Sequence, residues 1–219
     1  MKILGLLVFI AAISANGFSQ AAPQDDDDTQ SWNDLQLTIP VSKQFDFFTK
    51  FTLRVGKNIT RDTDNRIAVG TVWKPVKYLS ISPFYWYINA RNAAGRFRIE
   101  NRLNLSATYR YPFRKYAVSH RSTYEKRYRG AINSWRYRAM FIVERDLPEN
   151  WIKKTKFFVA NEVFYDSLTQ RFSRNRFGFG ISKAVDRHLT LDIYYTRQND
   201  GIAHPGDLNI IWTAWKVRL

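Results

Sequence analysis

The sequence predicts an all-β fold, an antiparallel up-and-down transmembrane β-barrel of about 10–12 strands. Three observations predict it. Stretches in which polar and apolar side chains alternate recur along nearly the whole chain from residue 31 onward. Most of these stretches have ten or more residues, the length at which a tilted strand crosses a bilayer. The N-terminus has the layout of a secretory signal peptide.

The N-terminal residues 1–21 are predicted to be a cleavable signal peptide. Lys2 precedes an apolar stretch over 3–13, and small residues follow it. That apolar stretch is too short to span a bilayer as a helix, and no run of 18 apolar residues occurs elsewhere. Residues 22–30 are interpreted as a solvated acidic linker, because the four aspartates of 25–28 lack the spacing and the turn glycine of a calcium loop. The barrel is therefore expected over 31–219.

The distribution of charge argues against a nucleic-acid partner, and the absence of cysteine excludes disulfide bonds. The net charge of +15 would suggest a nucleic-acid partner, but the Lys and Arg residues are spread over the whole chain, with no basic tail or basic helix. We therefore expect no nucleic-acid partner. The chain has no cysteine, so an exported form must be held together by backbone pairing and packing alone.

Eleven alternating stretches follow one another in the sequence. Because single-chain bacterial barrels have an even number of strands, we expect 10 or 12 strands, with the stretch 32–41 either outside the closed barrel or inside its lumen, or with one strand overlooked. The stretches are 32–41, 45–56, 65–74, 78–89, 96–110, 116–128, 135–146, 156–166, 171–183, 188–199 and 208–219.

The alternation alone does not decide which face meets water. A soluble, lipocalin-like barrel would enclose the apolar face, whereas a membrane barrel exposes that face to lipid. The length and number of the strands favour the membrane barrel. Aromatic residues near the ends of the stretches also favour it, because they are typical of interfacial girdles. These residues are Tyr109, Tyr111, Tyr116, Trp135, Tyr165, Tyr195 and Trp215.

The polar face combines Arg and Glu on several strands, which predicts a charge network in the lumen. The planar guanidinium group of Arg suits a crowded interior in which each carboxylate must be bridged. Arg outnumbers Glu plus Asp on this face, so the interior is expected to be net positive. Gly178 and Gly180 on the same face either leave room for long side chains from across the lumen or bend the strand. The predicted network consists of Arg98, Glu100, Arg102, Arg121, Glu125, Arg127, Arg136, Arg138, Glu144, Glu162, Arg174, Arg176 and Asp192.

The connections between stretches form two alternating sets. One set is short or carries Pro and Lys, as in "KPVKY" and "KAVDRH", and the other is looser and polar, as in "NITRDTDN". Outer-membrane barrels have short turns on the periplasmic side and longer loops outside. The last stretch, "NIIWTAWKVRL", resembles the C-terminal assembly signal of such barrels, and a periplasmic C-terminus places the whole first set on the periplasmic side.

The ordered motifs of the chain resemble a known family. They are Trp32 near the start, "IENRLNL", "STYEKRY", "WRYRAM", "NEVFYD" and "SRNRFGFG". In this order they resemble domain-of-unknown-function family 2490, an uncharacterised bacterial group whose members look like outer-membrane β-barrels of Gram-negative bacteria, frequent in the Bacteroidetes. The resemblance covers nearly all of 31–219. It implies an architecture and a location, and it implies no chemistry.

The sequence contains no convincing catalytic or metal site. His120, His188 and His204 lack the spacing of metal ligands, and no pattern predicts contact between a nucleophile and a base, since Ser122 shares a face with His120 but no acid accompanies them. We therefore expect no enzyme and no cofactor. A rim enzyme that acts on lipid or peptide through Asp200 and His204, and a soluble periplasmic ligand carrier, are the alternatives.

The sequence thus predicts an outer-membrane barrel that is structural or forms a narrow, occluded pore with anion preference. Its expected partners are outer-membrane lipid, lipopolysaccharide and the outer-membrane assembly machinery, which would engage the C-terminal strand.

Overall fold

Because polar and apolar side chains alternate along each strand, every strand has one polar face and one apolar face, and a closed sheet turns one of these faces to its interior. The computed structural model describes residues 27–92, 94–113, 116–203 and 205–219, so the predicted signal peptide at 1–21 lies outside the described residues. The described chain forms a closed barrel, which confirms the predicted fold class. Its strands are β1 (Asp27–Pro40), β2 (Phe45–Gly56), β3 (Arg61–Val76), β4 (Leu79–Arg91), β5 (Phe97–Pro112), β6 (Tyr116–Arg129), β7 (Ile132–Asp146), β8 (Thr155–Asp166), β9 (Arg171–Ala184), β10 (Leu189–Asp200) and β11 (Asp207–Arg218).

These strands are long. They contain between 12 and 16 residues, about twice the usual length in globular proteins of ~5–6 residues. Within the described ranges, no helix is long and apolar enough to cross a membrane.

The barrel has eleven strands, so the expectation of an even number was wrong. The first stretch lies in the barrel wall, neither outside the barrel nor in the lumen. Successive strands pair antiparallel, and β1 closes the barrel by parallel pairing with β11, from Asp27 opposite Asp207 to Thr38 opposite Arg218. With an odd number of strands, the first and last strands of a meander run in the same direction. A parallel ladder still satisfies their backbone groups.

The predicted acidic linker over 22–30 was too long, because β1 begins at Asp27. Asp28 is 8% exposed. Its carboxylate accepts hydrogen bonds from Nε2 of Gln30 at 2.8 Å and from the backbone N–H of Asn58 at 2.8 Å. This aspartate therefore joins β1 to the turn after β2. Residues 22–26 lie outside the described residues.

The two termini of the described chain lie at opposite ends of the barrel, because the strand number is odd. We call the end where β1 begins the N-terminal end, and the end where β11 finishes the C-terminal end. The connections β2–β3, β4–β5, β6–β7, β8–β9 and β10–β11 lie at the N-terminal end, and β1–β2, β3–β4, β5–β6, β7–β8 and β9–β10 lie at the C-terminal end. The two predicted sets of connections thus lie at opposite ends, as expected, but the expected difference in length is absent.

The outside of the barrel is apolar and its inside is polar. Leu103 and Leu105 on β5 are each 53% exposed, whereas Asn104 and Ser106, which alternate with them, are buried. Aromatic pairs lie near both ends of the barrel. Trp135 stacks on Tyr165 at 5.5 Å between ring centroids towards the N-terminal end, and another such pair, Tyr109–Tyr111, lies towards the C-terminal end. This arrangement is the reverse of a soluble barrel with an apolar interior.

Candidate functional site

The interior near the N-terminal end is filled by interlocked ion pairs, which we call the charged layer. Each strand contributes every second residue to the interior, so acids and arginines of neighbouring strands meet there. Its members are Glu100, Arg102, Glu125, Arg127, Arg136, Arg138, Glu162, Asp166, Arg174, Arg176 and Asp200.

Glu125 lies at the middle of the charged layer. Its side chain is only 1% exposed. Nη1 of Arg138 donates to Oε1 of Glu125 at 2.7 Å, and Nη1 of Arg102 lies 3.6 Å from Oε2. Arg138 also donates to Oε1 of Glu162 at 2.6 Å. One guanidinium group therefore bridges carboxylates of β6 and β8, which flank its own strand β7.

A second group of pairs lies closer to the N-terminal end. Glu100 accepts hydrogen bonds from Arg102 at 2.7 Å and from Arg127 at 2.5 Å. Asp166, the last residue of β8, accepts from Arg136 at 2.7 Å and from Arg127 at 3.3 Å. Because Arg127 binds acids on two different strands, the layer is continuous from β5 to β8.

An aromatic ring lies among the arginines of the charged layer. Phe164 is 2% exposed, and four guanidinium groups have their central carbons 4.8–5.7 Å from its ring centroid, those of Arg136, Arg138, Arg174 and Arg176. The face of an aromatic ring attracts cations, so Phe164 helps to hold arginines that would otherwise repel one another.

Trp32 anchors β1 to the interior in a similar way. It is 1% exposed, and the guanidinium carbon of Arg54 lies 3.3 Å from its ring centroid. Its indole N–H donates to Oε1 of Gln30 at 2.7 Å, and the ring of Trp212 on β11 meets it edge-on at 4.8 Å. These contacts join the first and last strands across the parallel seam.

Below the charged layer, towards the C-terminal end, the lumen contains a cavity of about 600 Å³. Its wall reaches Val72, Thr108 and Ser182, which lie near the C-terminal end. The charged side chains of the wall are ten basic and five acidic. They are Lys50, Arg54, Arg66, Arg102, Arg121, Arg136, Arg138, Arg174, Arg176 and Lys216 against Asp34, Glu125, Glu144, Glu162 and Asp192.

Buried polar residues of the N-terminal end do not line this cavity. Asp28, Gln30, Arg127, Asp166 and Gln198 are each less than 9% exposed, and they lie outside the cavity wall. Packed side chains therefore fill the lumen on that side, and the cavity extends towards the C-terminal end.

Four residues of the predicted lumen network lie apart from the charged layer. Arg98 is exposed near the N-terminal end, because it is only the second residue of β5. Its assignment to an enclosed network was therefore wrong. Glu144 pairs with Arg110 and Lys156 near the C-terminal end. Asp192 pairs with Lys216, and Arg121 donates to Sδ of Met140 at 3.0 Å.

Several interior aspartates are missing from the predicted network. Asp166 is the last residue of the predicted stretch 156–166, Asp200 was assigned to a loop, and Asp34 lies on the stretch whose place was left open. Asp64 pairs with Arg66. This pair could have been predicted from the sequence, because residues i and i+2 of a strand share a face.

Gly180 allows a close approach between β9 and β10. A Cβ atom at this position would overlap Cβ of Tyr194 and the backbone oxygen of Ile193. Tyr194, directly across from Gly180 in the register, therefore occupies the space that the glycine leaves in the lumen. Gly178 has the same relation to Thr196.

One serine and one histidine lie in contact, although no pattern in the sequence predicted contact between a nucleophile and a base. Nε2 of His120 and Oγ of Ser122 lie 2.9 Å apart, and the hydroxyl of Tyr137 lies 2.9 Å from the same Oγ. These side chains share the outer face of the barrel, because residues i and i+2 of a strand point the same way. Nδ1 of His120 is buried and has no hydrogen-bond partner among the described residues, so no acid orients the imidazole.

The other two histidines offer no site in the described structure. His188 lies in the turn before β10, with Nδ1 2.7 Å from the backbone oxygen of Arg218. Its backbone N–H donates to Asp186, and this bond, with a second from Leu189, lowers the pKa of the Asp186 carboxyl. His204 is not among the described residues, and Asp200, its suggested partner at the rim, is paired with Arg174. Within the described ranges, no three His, Asp or Glu side chains form a metal-binding group.

Comparison with known proteins identifies a family. The model of the family described as "Protein of unknown function (DUF2490)" matches residues 29–209, which confirms the resemblance that the motifs indicated. No curated protein matches the chain.

Three similar solved structures are porins. A KdgM porin is 11% identical, with 83% of this chain and 86% of that chain covered and a TM-score of 0.45. A KdgM porin in complex with disordered oligogalacturonate is 11% identical, with 80% and 92% covered and a TM-score of 0.46. An anion-selective porin from Comamonas acidovorans is 10% identical, with 80% and 54% covered and a TM-score of 0.42. At these identities the likeness concerns the fold alone.

Proposed function

The chain belongs to the family described as "Protein of unknown function (DUF2490)", and we propose that it is an outer-membrane β-barrel with a narrow, anion-preferring lumen that the charged layer occludes at the N-terminal end. The observation that carries this proposal is the cavity wall, where ten basic side chains face five acidic ones inside a barrel whose outside is apolar. A net-positive lining favours anions in the same way as the Arg and Lys rings of anion pores.

The outer membrane is the proposed location because the barrel presents an apolar surface to its surroundings. Exposed Leu, Ile and Phe side chains on consecutive strands form a surface that water would disfavour and lipid would cover. The predicted signal peptide and the alternating last strand, β11, support the same location. Outer-membrane lipid, lipopolysaccharide and the outer-membrane assembly machinery are the proposed partners.

Occlusion is proposed because every acid of the charged layer is paired with at least one arginine. A carboxylate bridged by two arginines is costly to move, since a buried charge without a partner is penalised by several kcal/mol. The role is therefore a closed or slowly conducting barrel, and the barrel acts without chemistry of its own.

Two measurements test this proposal. Fractionation followed by a gel with and without heating should show the protein in the outer membrane with heat-modifiable migration. Single-channel recording in a planar bilayer under a KCl gradient should then give rare or small conductance and a zero-current potential displaced towards the chloride equilibrium potential. Protein in the aqueous fraction, or a potential displaced towards that of potassium, would contradict the proposal.

A second candidate function is a hydrolase of lipid esters, and the contact between His120 and Ser122 favours it. Two features count against it: the imidazole has no acid partner in the described chain, and Ser122 lies near the middle of β6, whereas ester groups lie near the membrane surface. Purified barrel in vesicles of diacyl phospholipid tests it. Fatty-acid release that Ser122→Ala abolishes would establish the hydrolase, whereas we expect no release.

A further inference from the structure

Arg121 differs from every other basic side chain of the cavity wall. The other nine each lie within 4.0 Å of a carboxylate, the longest separations being 3.8 Å for Arg54 and 3.7 Å for Arg176. Arg121 has no carboxylate of the described residues within that distance, and its one side-chain hydrogen bond is to the sulfur of Met140. Thioether sulfur is a weak acceptor, so most of the donor capacity of this guanidinium is unused.

Other cations line the cavity around Arg121, and they make it more favourable for an anion to bind there. Lys50 and Lys216 line the same cavity as Arg121, so three cations from β2, β6 and β11 face the same space. Asp34 and Asp192 partly neutralise the two lysines. Among the described residues, no acid lies within 4.0 Å of Arg121 to do the same, and Glu162 pairs with Arg138.

We propose that Arg121 is the centre of a binding site for the carboxylate of a small organic acid. The planar guanidinium fork donates two parallel hydrogen bonds to a carboxylate, and Lys50 adds a second positive charge from the opposite wall. This inference deepens the proposed function and rests on it, because an anion reaches Arg121 only if the lumen admits anions.

The wall around Arg121 also offers a surface for the body of such an acid. Tyr194 lines the same cavity as Arg121, and its ring meets Phe158 edge-on at 5.4 Å and stacks with Trp212 at 5.0 Å. All three rings line the cavity. Pockets for small ligands combine apolar and aromatic walls with a few polar groups, in volumes of about 300–1,000 Å³, and the cavity of about 600 Å³ lies in that range.

Access to the site is from the C-terminal end. The cavity wall continues from Arg121 to Ile142, Glu144 and Lys216 on that side, whereas the charged layer closes the other side. With a periplasmic C-terminus, the acid would enter from the periplasm.

The test uses the full barrel in detergent micelles and 4-fluorobenzoate as the probe, followed by ¹⁹F NMR. We expect saturable binding of 4-fluorobenzoate and none of its neutral analogue 4-fluorobenzamide. Arg121→Gln should weaken binding by about tenfold or more, the loss of a charge-assisted bidentate contact, and Arg121→Lys should retain part of it. Arg98→Gln removes the same charge from an exposed site and should leave the affinity unchanged. Heat-modifiable migration verifies that each variant is folded.

The inference is overturned if the wild-type barrel does not bind 4-fluorobenzoate, if 4-fluorobenzamide binds equally well, or if folded Arg121→Gln retains the wild-type affinity. The zero-current potential of the wild-type barrel separates this failure from that of the proposed function. An anion-selective barrel without this site loses only the present inference, whereas a cation-selective barrel loses both.

Discussion

The carboxylate of Glu125 lies 2.7 Å from Nη1 of Arg138, in a side chain that is 1% exposed. Breaking a buried ion pair by removing one partner typically costs about 3–5 kcal/mol, because the remaining charge stays buried. We therefore expect Glu125→Gln to lower the free energy of unfolding by an amount in this range, measured by urea unfolding in lipid vesicles. Glu149→Gln makes the same chemical change in an exposed loop and serves as the control. A loss for Glu125→Gln no larger than that of the control would show that the pair contributes little.

Opening the charged layer should raise conductance. Arg127 and Asp166 lie 3.3 Å apart between the cavity and the N-terminal end, and neither lines the cavity. The double variant Arg127→Ser/Asp166→Ser removes one charge of each sign together with most of the two side chains. We expect a higher single-channel conductance in planar bilayers than for the wild type.

The matched control for this opening is Arg110→Ser/Glu144→Ser, which removes another ion pair from the C-terminal end of the barrel. The cavity already extends to that end, so its conductance should equal that of the wild type. Equal conductance in both double variants would contradict occlusion by the charged layer.

The outside of the barrel should not tolerate a charge near its middle. Ile193 lies on β10, opposite Thr213 and Ile181 in the register, and it is 45% exposed. A lysine on the lipid face at the bilayer midplane costs about 2–4 kcal/mol, and near the interface only about 0–1. Ile193→Lys should therefore destabilise the barrel in vesicles much more than Val76→Lys, which changes an exposed residue at the end of β3. Equal effects of the two changes would contradict the membrane position of the outer face.

The close approach of β10 to Gly180 predicts that a larger residue at this position destabilises the barrel. The added methyl of Gly180→Ala would meet the Cβ of Tyr194 and the backbone of β10, and overpacking of this kind costs about 1–3 kcal/mol. Gly201→Ala is the control, because a Cβ at that loop position meets no atom within 4 Å. Urea unfolding of both variants compares them, and a neutral Gly180→Ala would show that β10 can move away freely.

The alternation of side chains made the strands and their two faces predictable. On β5, for example, Leu103 and Leu105 alternate with Asn104 and Ser106 in the sequence, and the structure separates them into exposed and buried sides. The parallel seam between β1 and β11 was not predictable in this way, because the pairing of the first and last strands leaves no local pattern.

The composition of the site was less accessible to sequence reasoning than the fold. Asp166 and Asp200 end their strands, where alternation gives way to turn chemistry, so their ion pairs with Arg136 and Arg174 were missed. The isolation of Arg121 depends on the side chains of three other strands that face the same space. Such a property follows from the register around the whole barrel, which no single stretch encodes.

The orientation of the barrel wall is the central claim, and spin labels at two adjacent positions test it most directly. The chain has no cysteine, so Leu105→Cys and Ser106→Cys can each be labelled alone and compared by power-saturation EPR in vesicles. We predict that the label at position 105 is reached by oxygen and shielded from a water-soluble nickel complex, and that the label at position 106 is shielded from oxygen. A label at position 105 that is reached by the nickel complex, or one at position 106 that is reached by lipid-dissolved oxygen, would contradict the account.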